Sequence, residues 1–410
     1  MQKMDWNSKL PKLLAAEKLK EAMIDVPEYS DSIREADAAT RLMALSDIYK
    51  IYYPSRMSME IYTHLHLALL MSLKKKNTML AVKQQKENSL GMITKEYRGI
   101  IGGSDSSSII GVSGVGKSSA IARSIELVTD NRLIEIDEPY TKIVPILQVQ
   151  CPFDSSPKGM LLEILRVTDE YLGSSYYRSG TRNGTTTDTL IGLVSQVCLN
   201  HIGVLIIDEI QNVVKNRNGT LLIGVLMQLI NCSGVSIMVV GCPECVPFFE
   251  AETQLARRLV GFQYKEMAYD EYFVELCEFL FRYQYTKHKA EPTDGMISWL
   301  YEHSGGIVAN VVRLLHATQE IAILNGSDIM NMSNLNDAYD NQMGMLHAKI
   351  AINTTVKTTV SKKQRKPVTD SGTAIMHDMN IECIIQAAKD KGIDVVKYLH
   401  QYVTVQEVAL

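Results

Sequence analysis

The stretch SSSIIGVSGVGKSSAIA, residues 106–122, limits what this chain can fold into more than any other. Gly111-Val112-Ser113-Gly114-Val115-Gly116-Lys117-Ser118 fits the pattern G-x-x-x-x-G-K-[ST] in full. An apolar run precedes it and a helix-forming run follows, the strand–loop–helix setting that the pattern requires. Glycines let main-chain N–H groups approach and wrap a polyphosphate without a Cβ clash. The following helix adds the partial positive charge of its N-terminus. The candidate phosphate-binding set therefore runs from Gly111 to Ser119. Lys117 would reach the β- and γ-phosphates and the Ser118 hydroxyl would ligate Mg²⁺.

A second motif supports the first. VLIIDE, residues 204–209, is an apolar run ending in two acids. Asp208 at the strand end suits the magnesium shell. Glu209 serves either to polarise an attacking water or as a helix-capping acid. The two motifs lie far enough apart for one or two intervening β–α units. Together they predict an ATPase using ATP and Mg²⁺.

The rest of the sequence sets the frame. With 410 residues, 46% of them hydrophobic, the chain can build two or three domains with sizeable cores. The net charge of −4 gives no overall pull toward nucleic acid, so any such binding must come from local basic patches. The seven cysteines sit mostly in apolar runs, a pattern of free thiols in a reducing cytoplasm. The N-terminus has helical spacing rather than the apolar core of a signal peptide. No run approaches 18 apolar residues, so no membrane span is expected.

Four parts follow from the patterning. Residues 1–98 read as a helical extension, with Ile61, Leu65, Ala68, Leu69 and Leu73 forming a core-facing stripe that ends in Lys74, Lys75 and Lys76. Residues 99–262 alternate short apolar runs (SSSIIGV, KIVPILQV, GVLIIDEI, VSIMVVG) with helix-length stretches, which predicts a parallel α/β sheet. Residues 263–345 read as a small all-α unit. Residues 346–410 carry a flexible basic linker, with Lys357, Lys362, Lys363, Arg365 and Lys366, and a last helix at 380–403.

A sheet followed by a helical unit resembles the AAA+ class of P-loop ATPases, whose lid closes over the nucleotide. In that architecture the strand SIMVVGCPECV (236–246) would end in a γ-phosphate sensor, here Cys242, although a thiol is a weak hydrogen-bond partner. Cys242-x-x-Cys245 has no second pair at zinc-ribbon distance and reads as a strand-end turn with buried thiols. Arg257 or Arg258 in EAETQLARRLVGF would act as an arginine finger on a neighbouring subunit, or form a surface basic pair. Arg313 in HSGGIVANVVRLLHA would contact nucleotide from the lid, or face solvent.

GVSGVGKSS, VLIIDEIQNV, VVGCPE, QLARRL and SGGIVANVVRLL, led in by YYPSRMSMEIYTHLHLAL, resemble the TnsC/TniB family of AAA+ transposition regulators. The resemblance covers roughly residues 45–325. It implies a non-transposase subunit of a mobile element that forms rings or filaments on double-stranded DNA when ATP is bound. Such a homo-oligomer answers a target-selection protein through its N-terminal region, recruits transposase subunits through its C-terminal tail, and disassembles on hydrolysis. DNA contacts would come from PFDSSPKGM and YYRSGTRNGT, with Lys158, Arg178 and Arg182, and the basic clusters at 74–86 and 357–366 are further candidates. A helicase loader or initiator, and a ligand-triggered signalling ATPase, share the core motifs and stay open as alternatives.

Overall fold

The computed structural model describes residues 6–102, 106–137, 140–251, 259–342 and 344. At its centre lies a six-stranded sheet in the order β2-β3-β4-β5-β1-β6. The strands are β1 (Ser106–Gly111), β2 (Ile134–Asp137), β3 (Tyr140–Gln150), β4 (Ile202–Asp208), β5 (Ser236–Gly241) and β6 (Leu259–Tyr264). All neighbours are parallel except β2, which runs antiparallel to β3 at one edge. Four of these strands are the runs expected from the sequence. β2 and β6 are the two that the apolar pattern does not announce.

Parallel strands need both faces covered. One face carries α3 (Arg56–Lys76) and α5 (Lys117–Thr129), with Leu65, Leu69, Ile121 and Val128 packed on Ile146, Val204 and Ile206. The other carries α6 (Pro157–Leu172), α8 (Thr187–His201) and the helix Gly219–Ser233 around Leu147, Leu205 and Val239. Of the expected stripe, Ile61, Leu65, Leu69 and Leu73 are buried and Ala68 is partly buried. α3 starts sharply because Ser55 and Ser58 form a reciprocal capping box after Pro54. α4 (Met79–Thr94) follows it and lies on α8.

The helical unit consists of Glu271–Leu280, Asp294–Ser304, Val308–Leu324 and Met332–Gln342. Ile48, from the N-terminal region, is fully buried in its core beside Phe273, Leu276 and Leu314. The N-terminal region thus reaches both units. Arg123 of α5 donates to the carbonyls of Ala22, Met23 and Ile24 at the end of α1 (Ala16–Met23). From the same helix Lys20 pairs with Glu275 at 3.0 Å. Arg41, on α2 (Ala38–Leu45), forms a buried two-point ion pair with Asp328.

One member of the lysine cluster is not where the charge run suggests. Lys76 is buried, and its Nζ donates to the carbonyls of Cys198 and Leu199 at the C-terminal end of α8. It closes the carbonyl end of a helix and is unavailable to DNA, which corrects the expectation for the 74–86 cluster at this position. Burial lowers its pKa from 10.5 to about 7. Between those two values the unfolded chain holds a proton that the folded chain has released, so stability rises with pH across about 7 to 10.5. Below that window both states are charged and this contribution to the slope disappears. Lys76→Met should remove this rise, read as urea midpoints at a series of pH values across the window.

Candidate nucleotide site

β1 hands the chain to α5 through Gly111–Gly116, and α5 begins at Lys117. Gly114 and Gly116 adopt φ +86° and +97°, conformations that side chains disfavour. Gly116 is the N-cap of α5, so the free N–H groups of the first turn open toward the loop. Lys117 Nζ donates to the carbonyls of Gly111 at 2.7 Å and Val112 at 3.1 Å, which folds the side chain over the loop. Val115 is buried and anchors the loop in the core beneath.

The sheet order places the two motifs on either side of β5. Ile110 of β1 is in register with Gly241, and Ile207 of β4 with Val239. The carboxyl ends of β1, β4 and β5 therefore frame one crevice, the position where open α/β sheets bind ligands. A cavity of about 420 Å³ lies there. From the loop it is lined by Ser113, Gly114, Gly116, Lys117, Ser118 and Ser119, from β4 by Asp208 and Glu209, and from β5 by Gly241 and Cys242. Gln211 and Ala309 complete the wall.

Asp208 is held on two sides: its Oδ1 accepts from the Glu209 N–H at 2.8 Å, and its Oδ2 takes a long 3.5 Å contact from Gln148. Glu209 has φ +56°, a left-handed conformation that costs on the order of 1–3 kcal/mol in a non-glycine residue. The turn it starts is bound to β5 by the Ile210 N–H on the Val240 carbonyl at 3.0 Å. Gln211 donates from Nε2 to Glu209 Oε2 and accepts at Oε1 from the Cys242 N–H at 3.2 Å. The thiol of Cys245 is buried and pushed up to about 12 by desolvation, and it donates to the Cys242 carbonyl at 2.9 Å. Among the described residues no group of ligands fits a zinc site, and Cys151, Cys198, Cys232, Cys242, Cys245 and Cys277 are free thiols.

The helical unit reaches the loop at one point. The Ala309 N–H donates to the Gly114 carbonyl at 3.1 Å. Arg313 lies one turn further along Val308–Leu324, is exposed, and does not line the cavity; its charge acts on the Tyr49 phenol instead. Arg257 and Arg258 fall outside the described residues.

The donor set fits a magnesium-bound triphosphate. Loop amides and one ammonium would meet its anionic oxygens, and a hydroxyl and a carboxylate of the kind that hold Mg²⁺, on Ser118 and Asp208, share the same cavity. Gly241, Gln211 and Ala309 escaped the sequence reading as site residues. Gln211 stands two positions after Glu209, but its role depends on β5, which no local pattern reveals.

Lys158, Arg178 and Arg182 do not line this cavity. Lys158, in the first turn of α6, is exposed and donates to the Thr185 carbonyl at 3.3 Å, and Thr185 in turn bonds the Arg182 carbonyl. Lys158 and the Arg182 turn are therefore neighbours. Arg178 is exposed on α7 (Tyr176–Gly180), whose first amides are held by Asp169 near the far end of α6.

Residues 102–269 match the family model described as Bacterial TniB protein. No curated protein matches the chain. Similar solved structures include the Drosophila ORC bound to DNA, at 12% identity with 99% of this chain and 87% of that one covered and a TM-score of 0.45. Another is the Aeropyrum pernix ORC1 protein in complex with DNA, at 14% identity, 80% and 78% coverage and a TM-score of 0.37. The Thermotoga maritima RuvB Holliday junction branch migration motor gives 14%, 78% and 86%, and 0.36. The family match, over residues 102–269, falls within the stretch that resembles the TnsC/TniB family, and the expected α/β core with its largely parallel sheet is the architecture found.

The loop's dependence on Gly114 can be tested. A Cβ there would lie 2.8 Å from Ile307 Cγ2 and 3.2 Å from the Ala309 Cβ, besides straining the backbone. Gly114→Ala should lower stability by about 1–3 kcal/mol and weaken nucleotide binding. Gly184→Ala, at φ +86° with no atom within 4 Å of a new Cβ, isolates the backbone part. Thermal unfolding with and without Mg·ATP reads both.

Proposed function

With residues 102–269 matching the TniB family, we propose that this chain is an ATP-hydrolysing, DNA-associated regulator of transposition. ATP binding drives its assembly as a ring or filament on double-stranded DNA, and hydrolysis releases it. The observation that carries this reading is the single cavity in which Lys117 and the loop amides face Asp208 and Glu209.

In this mechanism the amides of Gly111–Ser119 and the Lys117 ammonium bind the phosphates of ATP. Ser118 and Asp208 would hold Mg²⁺, which would supply charge neutralisation for the phosphates when bound. Glu209 accepts the proton of the water that attacks the γ-phosphate. Arg257 or Arg258 reaches the γ-phosphate of a neighbouring copy, so turnover depends on assembly. Cys242 faces the same cavity as the candidate sensor. Lys158, Arg178 and Arg182 contact DNA phosphates. Each contact is weak and independent of sequence, and an oligomer multiplies them along the duplex. The N-terminal region receives a target-selection protein, the tail from 346 onward engages transposase subunits, and the whole works in the cytoplasm. No described helix is long and apolar enough to cross a membrane.

Imaging with a slowly hydrolysed ATP analogue, with and without duplex DNA, tests the reading. Rings or filaments that need both components support it. Assembly on nucleotide alone favours a ligand-triggered signalling ATPase, and binding restricted to single strands favours a loader. Lys117→Ala should weaken ATP binding by at least about tenfold, as one charge-assisted contact is lost, and abolish assembly. Glu209→Gln should bind ATP normally but turn over roughly 10²–10⁴-fold more slowly, which traps the DNA-bound state. Normal assembly by the first variant, or normal turnover by the second, contradicts the assignment.

A further inference from the structure

We infer that Gln211 is a positioning residue for Glu209, which it ties to the main-chain amide of Cys242. The inference rests on the reading of Glu209 as the group that polarises water. Gln211 is 9% exposed, and both ends of its amide are used. Nε2 donates to Glu209 Oε2, and Oε1 accepts the Cys242 N–H at 3.2 Å. The orientation of the amide follows from its partners: a main-chain N–H only donates and an ionised carboxylate only accepts.

The turn on either side of this link is held to the neighbouring strands' main chain. The Ile210 N–H is on the Val240 carbonyl at 3.0 Å, and Asn212 Nδ2 donates to the Cys151 carbonyl at 3.0 Å. Space for the amide exists because residue 241 is glycine. A Cβ there would lie 3.0 Å from Gln211 Oε1 and 2.7 Å from Ile210 Cγ2. Glu209 itself is exposed to the cavity and has φ +56°, so neither packing nor a relaxed backbone aims its carboxylate.

This resolves the difficulty posed by a cysteine at the sensor position. The group read at 242 is the peptide N–H, which every residue except proline carries, and the thiol is not required. A shift of the end of β5 when the cavity contents change passes through one side chain to the carboxylate. Gln211 borders the cavity, and its effect on turnover passes through Glu209.

The test is a double-mutant cycle in the full chain, with ATP turnover and ATP affinity measured separately. Gln211→Ala should lower kcat roughly tenfold or more, within what a well-aimed base supplies, while ATP affinity changes by less than about twofold. Gln211→Glu keeps an acceptor for the Cys242 N–H but turns an oxygen toward Glu209, and it should slow turnover equally. It covers the case in which the alanine variant fails to fold. Adding either change to Glu209→Gln should cost nothing more, because both act through one carboxylate.

A readout independent of turnover is the Cys242 amide resonance in ¹⁵N-cysteine-labelled protein, assigned with Cys242→Ser. It should move in Gln211→Ala and hold in Gln211→Glu. Normal turnover in both Gln211 variants beside a slow Glu209→Gln overturns this inference alone, as do losses that add to that of Glu209→Gln. Normal turnover in Glu209→Gln overturns the parent reading and this inference with it.

Discussion

The insertion of β5 between β1 and β4 is the constraint on which the rest depends. It separates the loop that offers amides and an ammonium from the strand that offers two carboxylates. The gap between them is about one strand wide. Opposite charges brought closer would neutralise one another, with Lys117 pairing to Asp208 or Glu209. Held apart, they leave Lys117 on the Gly111 and Val112 carbonyls and the acids on Gln148, Gln211 and a main-chain N–H. Both sets stay ready for a ligand that carries negative phosphate on one side and a cation on the other.

The N-terminal region has a second role besides the partner binding proposed for it. Through Arg123 it is fastened to the helix that follows the phosphate loop, and through Lys20, Arg41 and Ile48 to the helical unit. In the buried Arg41–Asp328 pair, removing Asp328 would leave the buried guanidinium without its carboxylate, whereas Asp328 also faces Lys287 at 3.8 Å. A rotation of the helical unit against the loop, where Ala309 meets Gly114, would be felt along this strap.

The sequence is most readable where structure is local. The phosphate loop, the Asp208–Glu209 strand end and the α3 stripe need only neighbours within a turn or a pleat. β2 hid because it is a four-residue edge strand, IEID, half exposed and specified by its pairing with β3. β6 hid because Gly261 interrupts its pattern, and its register is set by β1. Lys76 read as one more solvated charge because its partners, the last carbonyls of α8, are more than a hundred residues away. Gln211 and Gly241 fall under the same rule: their fit exists only once β4 and β5 lie side by side. The finger arginines and the tail lie outside the described residues, so their roles stand on resemblance.

Hydrogen–deuterium exchange of the full chain with and without Mg·ATP tests the central claim most directly. The account predicts new protection at the amides of residues 111–119, at the 208–212 turn and at the end of β5, together with the Ala309 contact. Unchanged exchange across the loop and the acid turn, with protection elsewhere in the chain, would contradict it.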